Sequence, residues 1–245
     1  MALKDYTELF QTRGEKYDFA MQQYPYVRDH EFQQAVELAS FTSANTILDV
    51  PAGGGYLHRF LPADSCYHAH EPCSTFAHAS TDTASDLLPL PYQDKSIDIS
   101  FSIAGVHHIE NKLSVFKDIA RVTIPHGQFI LADVYKGSAV AHFLDDFVGQ
   151  NNSTGHSGIY IDDATIDELQ TCGWRVNSAE RKPVDWSFSD KNAMAQFCMS
   201  LFDLRNISQS DVISAIDDIL GTKQHSDKVS INWELYYLDI KKAED

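Results

Sequence analysis

Five ionisable side chains stand where this sequence could do chemistry: Asp49, Glu71, Asp86, His107 and Asp133. Each closes or closely follows a strand-type stretch, namely Thr46–Asp49, Cys66–His70, Thr83–Asp86, Ser96–Ile103 and Gln128–Val134. Carboxylates at strand tips suit the hydroxyl and amino groups of a nucleoside, and an imidazole beside a carboxylate suits proton uptake. Glu71 follows Asp49 by 22 positions, the spacing at which a Rossmann-type unit places the acid that accepts hydrogen bonds from both ribose hydroxyls. Asp86 would then stand at the adenine end, with a backbone N–H nearby for a ring nitrogen. His107 and Asp133 follow neighbouring strands and are expected side by side, His107 as base and Asp133 orienting it. The alternative for His107 is a lining residue or a loop hydrogen bond, and His108 reads as a packed loop residue.

The element that must position these groups is the run from Thr46 to Gly55, which reads as strand, tight loop and the start of a helix over Tyr56–Leu61. Pro51 presets the backbone and opens the turn. Gly53 and Gly55 lack a Cβ and let backbone and helix N-terminus approach a ligand.

Around this centre the chain alternates strands and helices. The regularity implies an α/β fold with a Rossmann-like, doubly wound, mostly parallel sheet whose ligands sit outside the strands' carboxyl ends. Residues 1–45 are expected to form a helical cap, with Phe32, Ala35, Val36 and Ala39 on one face and Pro25 between two helices. The core would span 46–182, with helices near 113–120 and 162–171 and a strand over 173–182. Residues 183–228 would form an insertion of two amphipathic helices, read either as a substrate lid or as added packing. Residues 229–245 would supply an antiparallel closing strand, giving one domain in all.

Nineteen basic against thirty-five acidic residues give a formal net charge of −16. Such a surface repels phosphate backbones, so neither nucleic acid nor an anionic membrane is an expected partner. Cys66, Cys73, Cys172 and Cys198 lie far apart without a CxxC pair, which argues for reduced thiols in a cytoplasmic protein. No stretch approaches a membrane span in length.

Leu48-Asp49-Val50-Pro51-Ala52-Gly53-Gly54-Gly55, Glu71, Asp86 with Leu90-Pro91-Tyr92, Ser96-Ile97-Asp98, Val106-His107-His108 and Pro125-His126-Gly127 occur in an order that resembles the class I S-adenosylmethionine-dependent methyltransferases. The resemblance covers residues 46–135 and is greatest to the subgroup with small-molecule C-, N- and O-methyltransferases. It implies S-adenosyl-L-methionine as cofactor and a small-molecule methyl acceptor. It further implies cofactor contacts from Asp49, Pro51, Ala52, Gly53, Gly55, Glu71, Pro72, Asp86, Leu87 and Ala104. Gly53 and Gly55 would line the methionine part, Glu71 the ribose, and Asp86 with the Leu87 amide the adenine. Pro51 departs from the usual first glycine of the motif, and His126 from a glycine of the usual turn. The His107/Asp133 pair is similar to one that some sugar O-methyltransferases use.

Other readings compete less well. An NAD(P)-dependent oxidoreductase would need a third glycine deeper in the helix, where His58 and Arg59 stand. His68 and His70 share a strand face as zinc ligands do, yet Glu71 already has a ribose role, so no metal is expected. The rival of another class is a catalytically idle cofactor-binding subunit or regulator.

Overall fold

The computed structural model describes residues 6–76 and 86–243. Seven strands form one sheet: β1 (Thr46–Asp49), β2 (Cys66–Ala69), β3 (Ile97–Ile103), β4 (Thr123–Asp133), β5 (Trp174–Phe188), β6 (Thr222–Gln224) and β7 (Val229–Lys242). The order is β2-β1-β3-β4-β7-β5, with β6 also on β7. Strands β1 to β4 are parallel, and β7 lies antiparallel between β4 and β5. Ile130, Ala132 and Val134 enter one hydrophobic cluster while Phe129 and Leu131 enter the other, so β4 is buried on both faces. That is why its second half, residues 128–134, reads as a nearly continuous apolar run.

The cap consists of α1 (Tyr6–Gln23) and α2 (Asp29–Glu37). Helix α3 (Lys112–Val122) links β3 to β4, its N-terminus capped by the Asn111 side chain. After β4 come α4 (Ala139–His142), a wider π-helical turn at Phe143–Val148, and α5 (Gly149–Asn151). Helix α6 (Ala164–Thr171) precedes β5, and α7 (Lys191–Leu201) and α8 (Gln209–Ala215) lie between β5 and β6.

Three expectations need correction. The helix expected after the glycine loop is a single 3₁₀ turn, Tyr56–Phe60, which ends at Leu61 because the residue before Pro62 is driven to extended backbone. Of the stretch expected as a third strand, Thr83–Ser85 lie outside the described residues, and Asp86–Tyr92 is irregular rather than a strand. The strand expected over 173–182 runs on to Phe188, so the helices of the insertion begin only at Lys191.

The extension of β5 matters for function. β4 ends at Asp133, opposite Tyr236, whereas β5 and β7 stay paired from Arg181–Tyr236 out to Phe188–Val229. The two strands therefore rise as a ribbon beyond the carboxyl edge of the parallel sheet. Trp186 and Trp233 stand on it. Among the described residues, no helix is long and apolar enough to cross a membrane.

Candidate active site

The loop after β1 is held by the strands on either side. The Val50 N–H donates to Phe101 O (2.9 Å) and the Ala52 N–H to His70 O (3.0 Å). Gly53 and Gly55 adopt φ of +53° and +70°, conformations that favour glycine. The loop after β3 comes so close that a Cβ on Gly105 would lie 2.6 Å from Pro51 Cγ. Asp49, Pro51, Ala52, Gly53, Ala104 and Gly105 thus form one side of a crevice. Tyr6, Phe10, Tyr17, Arg28 and Phe32 of the cap form the other.

Two buried carboxylates flank this crevice. Asp49 accepts from the Tyr67 hydroxyl at 2.8 Å, and burial pushes its carboxyl up to about 7 despite that bond. Glu71 accepts from the Tyr6 hydroxyl (2.6 Å) and from the N–H groups of Gly53 and Cys73 (2.8 Å each). Burial still raises its pKa, with those donors opposing the rise. Glu71 therefore joins β2, the glycine loop and α1 at one point.

Beyond Ala104 the crevice meets a second chamber, which shares Phe10, Tyr17 and Arg28 with it. His107 lies here, in a 3₁₀ turn after β3. Its Nδ1 is 2.6 Å from Asp133 Oδ1, and Asp133 also accepts from the His107 and Val134 N–H groups (3.2 and 2.6 Å). Burial alone would raise the Asp133 pKa, but the His107 ring and the two N–H donors hold it below the usual carboxylate range. Asp133 thus stays ionised and accepts a hydrogen bond from His107 Nδ1–H, which leaves Nε2 as the available ring nitrogen. The expected adjacency is present.

A second carboxylate–imidazole pair faces the first. The Ile159 N–H donates to His107 O at 2.8 Å and draws the 152–161 loop against the chamber. His156 Nδ1 lies 3.0 Å from Asp145 Oδ1, which also accepts from the Tyr160 hydroxyl at 2.6 Å. Burial lowers His156 to about 4, with Asp145 opposing, and lowers His108 well below the usual histidine range. Ring nitrogens of His107, His108 and His156 lie within 4.8 Å of one another, a spacing that a metal ion could draw together. The Arg13 guanidinium lines the same chamber and opposes a second cation there.

The remaining wall is aromatic. Trp186 stacks on Trp233 and Phe202, with Leu144 and Leu201 beside them. Arg28 packs against the rings of Tyr17, Phe32 and Trp186, and its guanidinium bonds Glu31 through Nε (3.0 Å) and Nη2 and Tyr17 through Nη1. The Arg28 fork is thereby filled within the protein.

Most expected residues converge. Asp49, Pro51, Ala52, Gly53 and Ala104 line the crevice, and Glu71 with the buried Pro72 lies under Tyr6 at its side. Gly55 serves the loop itself by donating to Ala52 O at 3.0 Å. Asp86 and Leu87 stand apart from the crevice lining, although Leu87 O accepts from His70 Nε2 at 2.9 Å. The sequence reading missed Phe10, Arg13, Asp145 and His156. The spacing of Tyr6, Phe10, Arg13 and Tyr17, on one face of α1, is the signal that could have found the first two.

Solved structures of Rossmann-like methyltransferases superpose over most of the chain. The YcgJ protein of Bacillus subtilis gives a TM-score of 0.61 at 13% identity, covering 89% of this chain and 100% of that one. A SAM-dependent methyltransferase of Thermotoga maritima gives 0.59 at 11%, covering 98% and 100%. The Haemonchus contortus phosphoethanolamine N-methyltransferase 2, solved with phosphomonomethylethanolamine and S-adenosylhomocysteine, gives 0.59 at 11%, covering 100% of this chain and 61% of that one. Residues 48–131 match the family model described as a methyltransferase domain, which contains the glycine loop, Glu71, Asp86 and His107. The curated proteins searched include no match.

Proposed function

We propose that this chain transfers a methyl group from S-adenosylmethionine to a small-molecule acceptor. The observation that carries the reading is the junction at Ala104, where a glycine-floored crevice beside two acids opens into a chamber holding an oriented histidine. The crevice suits the cofactor chemically. Tyr17, Tyr56 and Phe76 supply aromatic surface for a sulfonium, as rings do for cations generally. A Cβ on Gly53 would project toward Phe76 at 3.7 Å, into space the glycine leaves open. Glu71, fixed beside the crevice by the Tyr6 hydroxyl and the Gly53 and Cys73 N–H groups, is assigned to the ribose. Asp86 and the Leu87 amide are assigned to the adenine end.

The cofactor, when bound, supplies an electrophilic methyl group whose departure discharges a sulfonium. The chain's own part is to align the acceptor, exclude water and take a proton where the acceptor is a hydroxyl. His107 Nε2 is the base in this reading, and Asp133 fixes its tautomer. The acidic surface disfavours nucleic acid as acceptor. The four free cysteines suit a reducing cytoplasm.

Purified protein incubated with methyl-labelled cofactor and a small-molecule extract tests the reading directly. Label is expected in a low-molecular-mass product. Cofactor binding without transfer would leave an idle binding protein, and no binding would remove the reading altogether.

A further inference from the structure

The acceptor chamber carries a charge that the rest of the molecule does not. The chain has a net charge of −16, yet none of the described residues that line this chamber is acidic. Its basic members are Arg13, Arg28, His107, His108 and His156. Four of the five are settled or weakly charged. Arg28 is matched by Glu31, His107 by Asp133 and His156 by Asp145, while His108 is buried against other basic groups.

Arg13 is different. It is only 4% exposed, and its Nε and Nη1 have no hydrogen-bond partner. Asp203 exerts a favourable field on it but bonds Lys16, Ser153 and Arg205 instead. Burying a guanidinium donor without a hydrogen-bond partner is costly, so such a group in a chamber wall points to a ligand that pairs with it. Burial lowers its pKa only to about 10, so it remains cationic at neutral pH.

We propose that Arg13 grips a carboxylate of the methyl acceptor, and that the acceptor is a ring-bearing carboxylic acid. The ring follows from the aromatic part of the lining, Phe10, Trp186, Phe202 and Trp233. The carboxylate follows from the donor: a guanidinium presents a planar fork, and a single one neutralises one negative charge. A divalent metal on the three histidines is the competing use of the chamber, and the cationic Arg13 opposes it. The assignment rests on the second chamber being the acceptor site proposed above.

The test is calorimetric titration of the full chain, with and without S-adenosylhomocysteine. The probes are 4-hydroxybenzoate, 2-hydroxybenzoate and 4-hydroxyphenylacetate, each against its own carboxamide, with Zn²⁺ run separately. At least one acid is expected to bind roughly 10-fold or more tightly than its amide, and Arg13→Gln should bring that ratio to within about 2-fold. Arg13→Lys keeps the charge but not the fork and should lower the ratio several-fold, which serves if the glutamine variant does not fold by circular dichroism. Ratios near unity for all three pairs would overturn the inference. So would an acid preference unchanged in a folded Arg13 variant, or stoichiometric Zn²⁺ uptake lost in His156→Ala without any acid preference. Failure of S-adenosylhomocysteine to bind is read separately and bears on the methyl-transfer proposal, since the acid-to-amide ratio is measured without it as well.

Discussion

Trp186 and Trp233 lie face to face with ring centroids 4.1 Å apart and planes 16° from parallel, one from each strand of the β5–β7 ribbon. Both are almost fully buried, and Arg28 sits over the Trp186 ring. The pair belongs to the hydrophobic cluster behind the second chamber and lines that chamber as well. Trp233→Ala should cost about 3–5 kcal/mol in urea denaturation, the usual range for a large buried aromatic, and Trp233→Phe well under half of that. A loss below about 1 kcal/mol for the alanine variant would show that the ribbon is not packed as described.

His107→Gln should lower turnover by about 100-fold or more if it removes a base, while cofactor affinity by calorimetry stays within about 3-fold. The reverse pattern would make His107 a binding residue. Asp133→Asn should give a comparable loss of turnover and a lower melting temperature as well. An amide has one oxygen for acceptance where the carboxylate serves three donors, His107 Nδ1 and the N–H groups of His107 and Val134.

Glu71→Ala and Asp86→Ala should each weaken binding of S-adenosylhomocysteine, by about 10-fold or more for Glu71. The two should differ in stability. Glu71→Ala strands the Gly53 and Cys73 N–H groups and the Tyr6 hydroxyl, at roughly 1–3 kcal/mol, whereas Asp86 is exposed and its loss should cost little. Unchanged affinity in both variants would remove the cofactor site from this edge of the sheet.

The chamber histidines set an acid limit. His156 is lowered to about 4 in the folded chain against an ordinary value near 6.5, so the unfolded chain binds the proton more readily. Its contribution to stability is present above roughly pH 6.5 and is lost as pH falls toward 4. His156→Gln should therefore flatten the fall in urea midpoint over that window relative to the parent. Parallel curves for the two proteins would contradict the assigned burial of this imidazole.

Asp49 slopes the other way. Burial raises it to about 7, so the stability it lends as a neutral acid is present below roughly pH 4 and is lost as pH rises through about 7. Asp49→Asn should remove that part of the alkaline fall, read from melting temperature between pH 5 and 8.

The sequence revealed those parts of the molecule whose burial is two-sided or whose chemistry lies at strand tips. β3 was legible from its alternation of apolar residues with Asp98, Ser100 and Ser102, and β4 from the apolar run 129–132 that burial on both faces demands; His107 and Asp133 were paired because they lie at the ends of adjacent strands. The strand expected over 173–182 stops short of the end of β5 because Pro183 reads as a break. An edge strand tolerates a proline, since one of its two sides needs no donor, and β5 is the edge of the sheet. Arg13 was passed over because a helix pattern reports which face is covered, not which charge under it lacks a mate. Asp145 and His156 belong to a π-helical turn and an irregular loop, where no periodicity links them before folding.

Phe10, Tyr17 and Arg28 belong to both cavities at once. With methyl donor in the crevice and acceptor in the chamber, as proposed, the two ligands would share that partition, and each is expected to bind more tightly when the other is in place.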